Sequence, residues 1–184
     1  MRPFLFSILL LFAASEESFT QNRECKDCME WTEGKRLKWS DFKGSPKPLS
    51  QNEALTDSGM SIELKCDVKT SKAVVKCFFK RNSSWTKDNE SAYLLAHEQL
   101  HFDITELFVR KLRQQLSKFG SDCEKLNNHI EEYYNRNYKE FVDYQDRYDY
   151  ETKHSLNTKK QAEWEQKVAR ELEELRPFAS WASN

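Results

Sequence analysis

Glycine and proline are scarce in this chain of 184 residues, which contains four of each. Their scarcity excludes collagen-like repeats and argues against a long flexible linker. No apolar run beyond the N-terminus approaches the length of about 20 residues that a membrane span needs, and no internal repeat is visible. The net charge is −1, so the composition does not indicate a basic surface for nucleic acid.

The N-terminus has the features of a signal peptide. Arg2 supplies a positive charge, residues 3–12 are mostly apolar, and residues 13–15 are small enough for a cleavage site. An apolar stretch of about ten residues is too short for a stable membrane span. We therefore predict a secreted or periplasmic protein with three regions: a signal peptide (1–15), a loose segment (16–35) and a single domain (36–184).

The five cysteines fit an oxidising compartment. Cys66 and Cys77 lie on two strand-like runs at positions that could face each other, so a disulfide between them is the preferred pairing. Cys25 and Cys28 form a C-x-x-C, but the second such pair that a zinc knuckle needs is missing. We expect these two to form a local disulfide, or one of them to pair with Cys123.

Hydrophobic periodicity predicts an α+β fold. Residues 60–68 alternate between apolar and polar side chains, and residues 73–79 return as a second strand, which is typical of a β-hairpin. Apolar residues at helical spacing follow until a proline near the C-terminus. We predict a short hairpin or small sheet packed on two long antiparallel helices, with a third, C-terminal helix.

One motif has a direct chemical meaning, the H-E-x-x-H at residues 97–101. Residues four apart project from one face of a helix, so His97 and His101 can bind the same zinc ion. Glu98 lies one step round the helix, where its carboxylate can take a proton from a zinc-bound water that attacks a carbonyl carbon. The motif predicts one Zn²⁺ per chain and hydrolysis of peptide bonds, with Glu98 as the general base.

A catalytic zinc needs a third protein ligand, which the motif itself does not supply. Asp103 and Glu106 follow on the same helix but point away from the His97/His101 face if the helix is straight. His129 lies beside the apolar line of the second helix and is typical of a surface histidine. These three residues remain alternatives.

Three sequence stretches together resemble a known family. The chain contains WSDFKG at residues 39–44, followed by Thr56-x-Ser58-Gly59, then LLAHEQLHFDITELFVR at 94–110, and then Tyr148-Asp149-x-x-Thr152-x-His154, upstream of Gln161 and Trp164. These stretches resemble a family of secreted bacterial proteins filed as a domain of unknown function and described as predicted zinc-dependent proteases. The resemblance covers most of residues 36–175. Ser155 stands where the family often has glycine.

The resemblance implies a zincin-like metallopeptidase domain and helps with the third ligand. His154 follows a helix that must fold back antiparallel to the first, so it can return towards His97. We select His154 as the third ligand, with Asp149 as the alternative. Tyr148 or Tyr150 could place a phenol near the metal to stabilise an oxyanion.

The functional prediction is a secreted zinc-dependent peptidase that acts on peptides or proteins. By analogy of fold, a strand within residues 60–79 would offer its edge to an extended substrate. The alternative is a non-catalytic, exported, zinc-containing binding domain of the cell envelope.

Overall fold

A computed structural model describes residues 27–66 and 71–179, so the predicted signal peptide lies outside the described residues. The fold is α+β, as predicted. In these two ranges it consists of five strands and three α-helices: β1 (Cys28–Glu30), β2 (Ala54–Leu55), β3 (Ser58–Cys66), β4 (Ser71–Lys80), β5 (Trp85–Thr86), α1 (Ala92–Ser117), α2 (Cys123–Thr152) and α3 (Thr158–Glu174). Short 3₁₀ helices lie at Trp39–Asp41 and Arg176–Phe178.

The predicted β-hairpin is formed by β3 and β4. Their antiparallel register places Ile62 opposite Val75, and both side chains are buried because alternate residues face the helices. β1 pairs with the other side of β4, which gives the strand order β1-β4-β3. Part of the segment that we predicted to be loose therefore belongs to the sheet, and its Met29 is buried in the core. Cys28 is disulfide-bonded, and the pairing of Cys25 lies outside the described residues.

α1 is the central element of the fold. It begins after Ser91, whose hydroxyl accepts a hydrogen bond from the N–H of Leu94. The sheet, α2 and α3 all pack against α1, so even charged side chains in its middle are buried. Glu106, for example, accepts hydrogen bonds from Arg110 and Arg113 at 3.0 and 3.1 Å. Removing one partner of such a buried pair costs about 3–5 kcal/mol.

α2 runs back along α1, as predicted for a helical hairpin. Gly120 in the connection has a φ of +57°, a left-handed conformation that glycine adopts without steric cost. Asp122 then caps α2 by accepting a hydrogen bond from Lys125 N–H. Further along, Asn137 donates a hydrogen bond to the carbonyl of Phe108 on α1. Within residues 27–66 and 71–179, no helix is both long and apolar enough to cross a membrane.

The predicted disulfide between Cys66 and Cys77 is wrong, because Cys66 is bonded to Cys123. The hairpin register places Cys66 opposite Ser71 and Cys77 opposite Met60, so the two cysteines on the strands lie far apart along the hairpin. Cys77 is buried with a free thiol. The Cys66–Cys123 bond instead ties the end of β3 to the first residue of α2, with Cα atoms 5.8 Å apart.

Candidate metal centre

His97 and His101 on α1 and Asp149 on α2 bring three potential ligand atoms together. The two Nε2 atoms are 3.2 Å apart, and each lies 3.1 Å from Asp149 Oδ1. A tetrahedral zinc ion with bonds of about 2.0–2.1 Å requires about 3.3 Å between its ligand atoms. The triangle therefore fits zinc, and its residues line a cavity of about 210 Å³.

Gln145 on α2 fixes the tautomer of His101. Its Nε2 donates to the backbone carbonyl of His101 at 2.9 Å, so its Oε1 is the atom that faces the imidazole. Because that oxygen can only accept, the contact of 2.7 Å requires a proton on His101 Nδ1. The Nε2 of the neutral ring is then unprotonated and faces Asp149.

His97 is held in the same way by α3 and α2. Gln161 donates through Nε2 to Glu165, which leaves its Oε1 facing His97 Nδ1 at 3.0 Å. The hydroxyl of Tyr148 donates to the same Oε1 at 2.7 Å and lies 2.8 Å from His97 Nδ1. The neutral ring of His97 therefore donates from Nδ1 and presents an unprotonated Nε2, the form in which histidine binds a metal.

With both rings neutral, no proton would lie between the three ligand atoms, so a positive charge among them is favoured. Burial lowers the pKa of His101, but its hydrogen bond to Asp149 and the charges of Asp149 and Glu98 outweigh burial and raise the pKa to about 9. Burial raises the pKa of Asp149, but hydrogen bonds from His101 and His97 outweigh it and hold the pKa well below its ordinary value. Either a proton on an imidazole or a bound metal ion can supply the positive charge that balances Asp149.

Glu98 lies in the same cavity and is almost completely buried. Its Oε2 has no hydrogen-bond partner among the described residues. A buried carboxylate oxygen without a partner costs at least about 1–3 kcal/mol, so such an oxygen usually has a functional role. The Thr56 hydroxyl donates to the backbone carbonyl of Glu98 at 3.1 Å and fixes α1 against the loop between β2 and β3.

The strand beside the cavity is β2, and not one of the strands that we expected within residues 60–79. β4 lies in the middle of its sheet, and β3 contributes only Ser58 to the cavity wall. Lys87 N–H donates to the carbonyl of Glu53, so the neighbouring pair of Ala54 and Thr86 is a non-hydrogen-bonded pair. The N–H and C=O of Ala54 therefore point away from β5, towards the other edge of β2.

The residue whose side chain joins the two histidines in this group of possible ligands is Asp149, the alternative in the sequence analysis, and not His154. His154 Nδ1 lies 3.7 Å from Asp149 Oδ1, and the imidazole is 61% exposed at the cavity. The tight turn after α2 explains this placement, because it directs His154 to the cavity rim while Asp149 still lies on the helix face that packs against α1.

The predicted oxyanion role does not fit Tyr148, because its hydroxyl contacts the Nδ1 side of His97 and is buried away from the cavity. Burial also raises the pKa of Tyr148 far above its ordinary value. The alternative, Tyr150, is 82% exposed and does not line the cavity.

The other alternative ligands have different partners. Asp103 accepts hydrogen bonds from Trp31 and Arg36, and Glu106 is held by the two arginines of α1. His129 is half-buried, stacks on Phe119 and has Nδ1 2.8 Å from a backbone carbonyl of its own helix.

The sequence analysis missed Gln145. It lies four residues before Asp149, so helical spacing places both on one face of α2. Once Asp149 is taken as a ligand, this spacing is the signal that would have identified Gln145.

Residues 78–155 match the family model described as "Bacterial protein of unknown function (DUF922)". The match covers less than half of the chain but includes the three possible metal ligands, Glu98 and Gln145. It agrees with the bacterial family in the sequence-based resemblance and does not address the protease description. No curated protein and no solved structure matches the chain.

Proposed function

We propose that this chain is an exported zinc-dependent peptidase with a zincin-like site. In this proposal His97, His101 and Asp149 hold one zinc ion, and Glu98 is the general base. One observation carries it: three ligand atoms lie 3.1–3.2 Å from one another beside a buried carboxylate without a partner. Both features occur in the same cavity.

When bound, zinc supplies Lewis acidity, which lowers the pKa of water and polarises a carbonyl group. Glu98 accepts the proton from the attacking water and passes it to the amine that leaves. Gln145 and Gln161 keep both imidazoles in the tautomer that directs Nε2 into the cavity. Such partners typically account for about 10- to 100-fold in metal affinity or activity.

The substrate is proposed to be an extended peptide. Ala54 would pair with it through the N–H and C=O that point away from β5. Apolar side chains of Leu55, Leu94 and Phe141 line the cavity, so we expect an apolar residue next to the cleaved bond.

Two observations support export. The chain contains the Cys66–Cys123 disulfide, which is typical of oxidising compartments, and it matches a bacterial family. The expected signal peptide at residues 1–15 completes this part of the proposal.

The test compares cleavage of a fluorogenic peptide library by the wild type, Glu98→Gln and Glu131→Gln. Glu131 is an exposed residue of α2 and serves as the matched control. We expect Glu98→Gln to keep one zinc per chain and to lose at least about 100-fold in kcat. Glu131→Gln should behave like the wild type.

Zinc content is measured in parallel for His97→Ala, with His129→Ala as its control because His129 does not line the cavity. We expect zinc to be lost only from His97→Ala. A wild type that binds zinc but cleaves no peptide would favour the alternative, a non-catalytic zinc-containing domain of the cell envelope. A wild type without zinc would reject both readings.

A further inference from the structure

The turn after α2 has an uncommon backbone. Lys153, His154 and Ser155 have φ values of 52°, 50° and 75°, so three consecutive residues other than glycine are left-handed. Such residues are uncommon even singly, and they concentrate at functional sites.

Capping of α2 accounts for only one of the three. A helix usually ends with a single left-handed residue, and Lys153 has that role because its N–H donates to the carbonyls of Asp149 and Tyr150. The N–H of His154 completes the usual double capping pattern by donating to Asp149 O at 3.0 Å, but this pattern does not require His154 itself to be left-handed. The backbone of His154 is thus tied to the residue that provides the third ligand atom.

The turn places the imidazole of His154 at the rim of the cavity, beside the metal triangle but not in it. Two of the other side-chain donors in the cavity wall are engaged, since Thr56 donates to Glu98 O and Gln145 to His101 O. His154 Nδ1 lies 3.7 Å from Asp149 Oδ1, beyond hydrogen-bond distance. An N–H of the His154 imidazole is therefore available to a bound molecule.

We infer that His154 is a further catalytic residue, which donates a hydrogen bond to the carbonyl oxygen of the peptide bond that is cleaved. The inference rests on the proposed peptidase function. Negative charge develops on that oxygen as water attacks, and a donor held in place by the protein stabilises it. The left-handed turn is what keeps this donor next to Asp149.

The test uses two matched variants of the full-length, zinc-loaded protein, His154→Gly and Lys153→Gly. Glycine favours the left-handed backbone at both positions, so neither variant destabilises the turn sterically. Only His154→Gly removes a side chain from the cavity, because Lys153 does not line it. We expect kcat to fall about 100-fold in His154→Gly, with KM changed less than about threefold, and to stay within about twofold in Lys153→Gly.

A second readout does not depend on turnover. The probe is a phosphinic pseudopeptide with leucine on both sides of the phosphinate, which imitates the tetrahedral geometry of the reaction. We expect His154→Gly to bind it about 100-fold more weakly than the wild type, with one zinc per chain in both proteins.

The outcomes separate the two proposals. Full activity and unchanged probe binding in His154→Gly, together with an inactive Glu98→Gln, would overturn the role of His154 alone. Loss of zinc from His154→Gly would overturn it too, because His154 would then be a ligand. A wild type that neither cleaves peptides nor binds the probe would reject both the peptidase function and this role.

Discussion

Asp149→Asn is the variant that tests the metal triangle most directly, because it removes one negative charge and almost no volume. Oδ1 of this side chain lies 3.1 Å from the Nε2 atoms of both His97 and His101. Asparagine keeps an oxygen of similar size but neither the charge nor a carboxylate for zinc. His154→Ala is the matched comparison, since the sequence analysis selected His154 as the third ligand.

The pKa of His101 allows us to estimate how much zinc affinity Asp149→Asn should lose. The hydrogen bond and charge of Asp149 are the main reasons that the pKa of His101 rises from 6.5 to about 9 in spite of burial. At about 1.4 kcal/mol per pH unit, this net rise corresponds to a preference of about 3 kcal/mol for a positive charge at the site, to which Glu98 and Gln145 also contribute. Zinc carries two, so we expect its Kd to rise by at least about 100-fold in Asp149→Asn.

The assay is a competition titration of zinc against a chromophoric chelator at pH 7. The zinc-free proteins are also titrated by NMR, where the pKa of His101 should fall well below 9 in Asp149→Asn. We expect His154→Ala to change the zinc Kd by less than about fivefold. Unchanged affinity in Asp149→Asn, with a large loss in His154→Ala, would refute the assignment of Asp149.

Three other predictions concern protons, the turn and the disulfide. Since the pKa of His101 is raised to about 9, zinc binding at pH 7 should release about one proton. The affinity for zinc should therefore rise about tenfold per pH unit up to about pH 9 and then level off. Ser155→Gly should raise the Tm by about 1–4 °C. The left-handed conformation costs other residues about 1–2 kcal/mol, and the chain entropy of glycine offsets about 0.5–1 kcal/mol of that gain. Cys66→Ala should lower the free energy of unfolding by about 4 kcal/mol, since the bond to Cys123 spans 57 residues, whereas Cys77→Ala should cost only about 1 kcal/mol.

Each of these has its own measurement. Calorimetry in two buffers of different ionisation enthalpy counts the released protons, and a value near zero at pH 7 would contradict the raised pKa of His101. Thermal unfolding reports on Ser155→Gly, where a lower Tm would mean that the serine hydroxyl has a role in the turn. Urea unfolding compares the cysteine variants, and equal losses would argue against the Cys66–Cys123 bond.

Several features were predictable because neighbouring residues determine them. Alternating apolar residues in 60–68 predicted a strand, and helical spacing placed His97 and His101 on one face, with their Nε2 atoms 3.2 Å apart. Gly120 marked the connection between the two long helices. In each case the period of a strand or helix fixes which side chains lie together.

Only the tertiary structure decided which distant residues complete the site. Asp149 and His154 are five residues apart, and the end of α2 between them directs the first to the metal triangle and the second to the rim. Likewise, Cys66 pairs with Cys123 because the hairpin register moves Cys77 away. The sequence alone determined the two histidines and the glutamate, since a helix needs only local spacing. The third ligand and the disulfide depend on how whole elements pack, and packing is decided by the entire core.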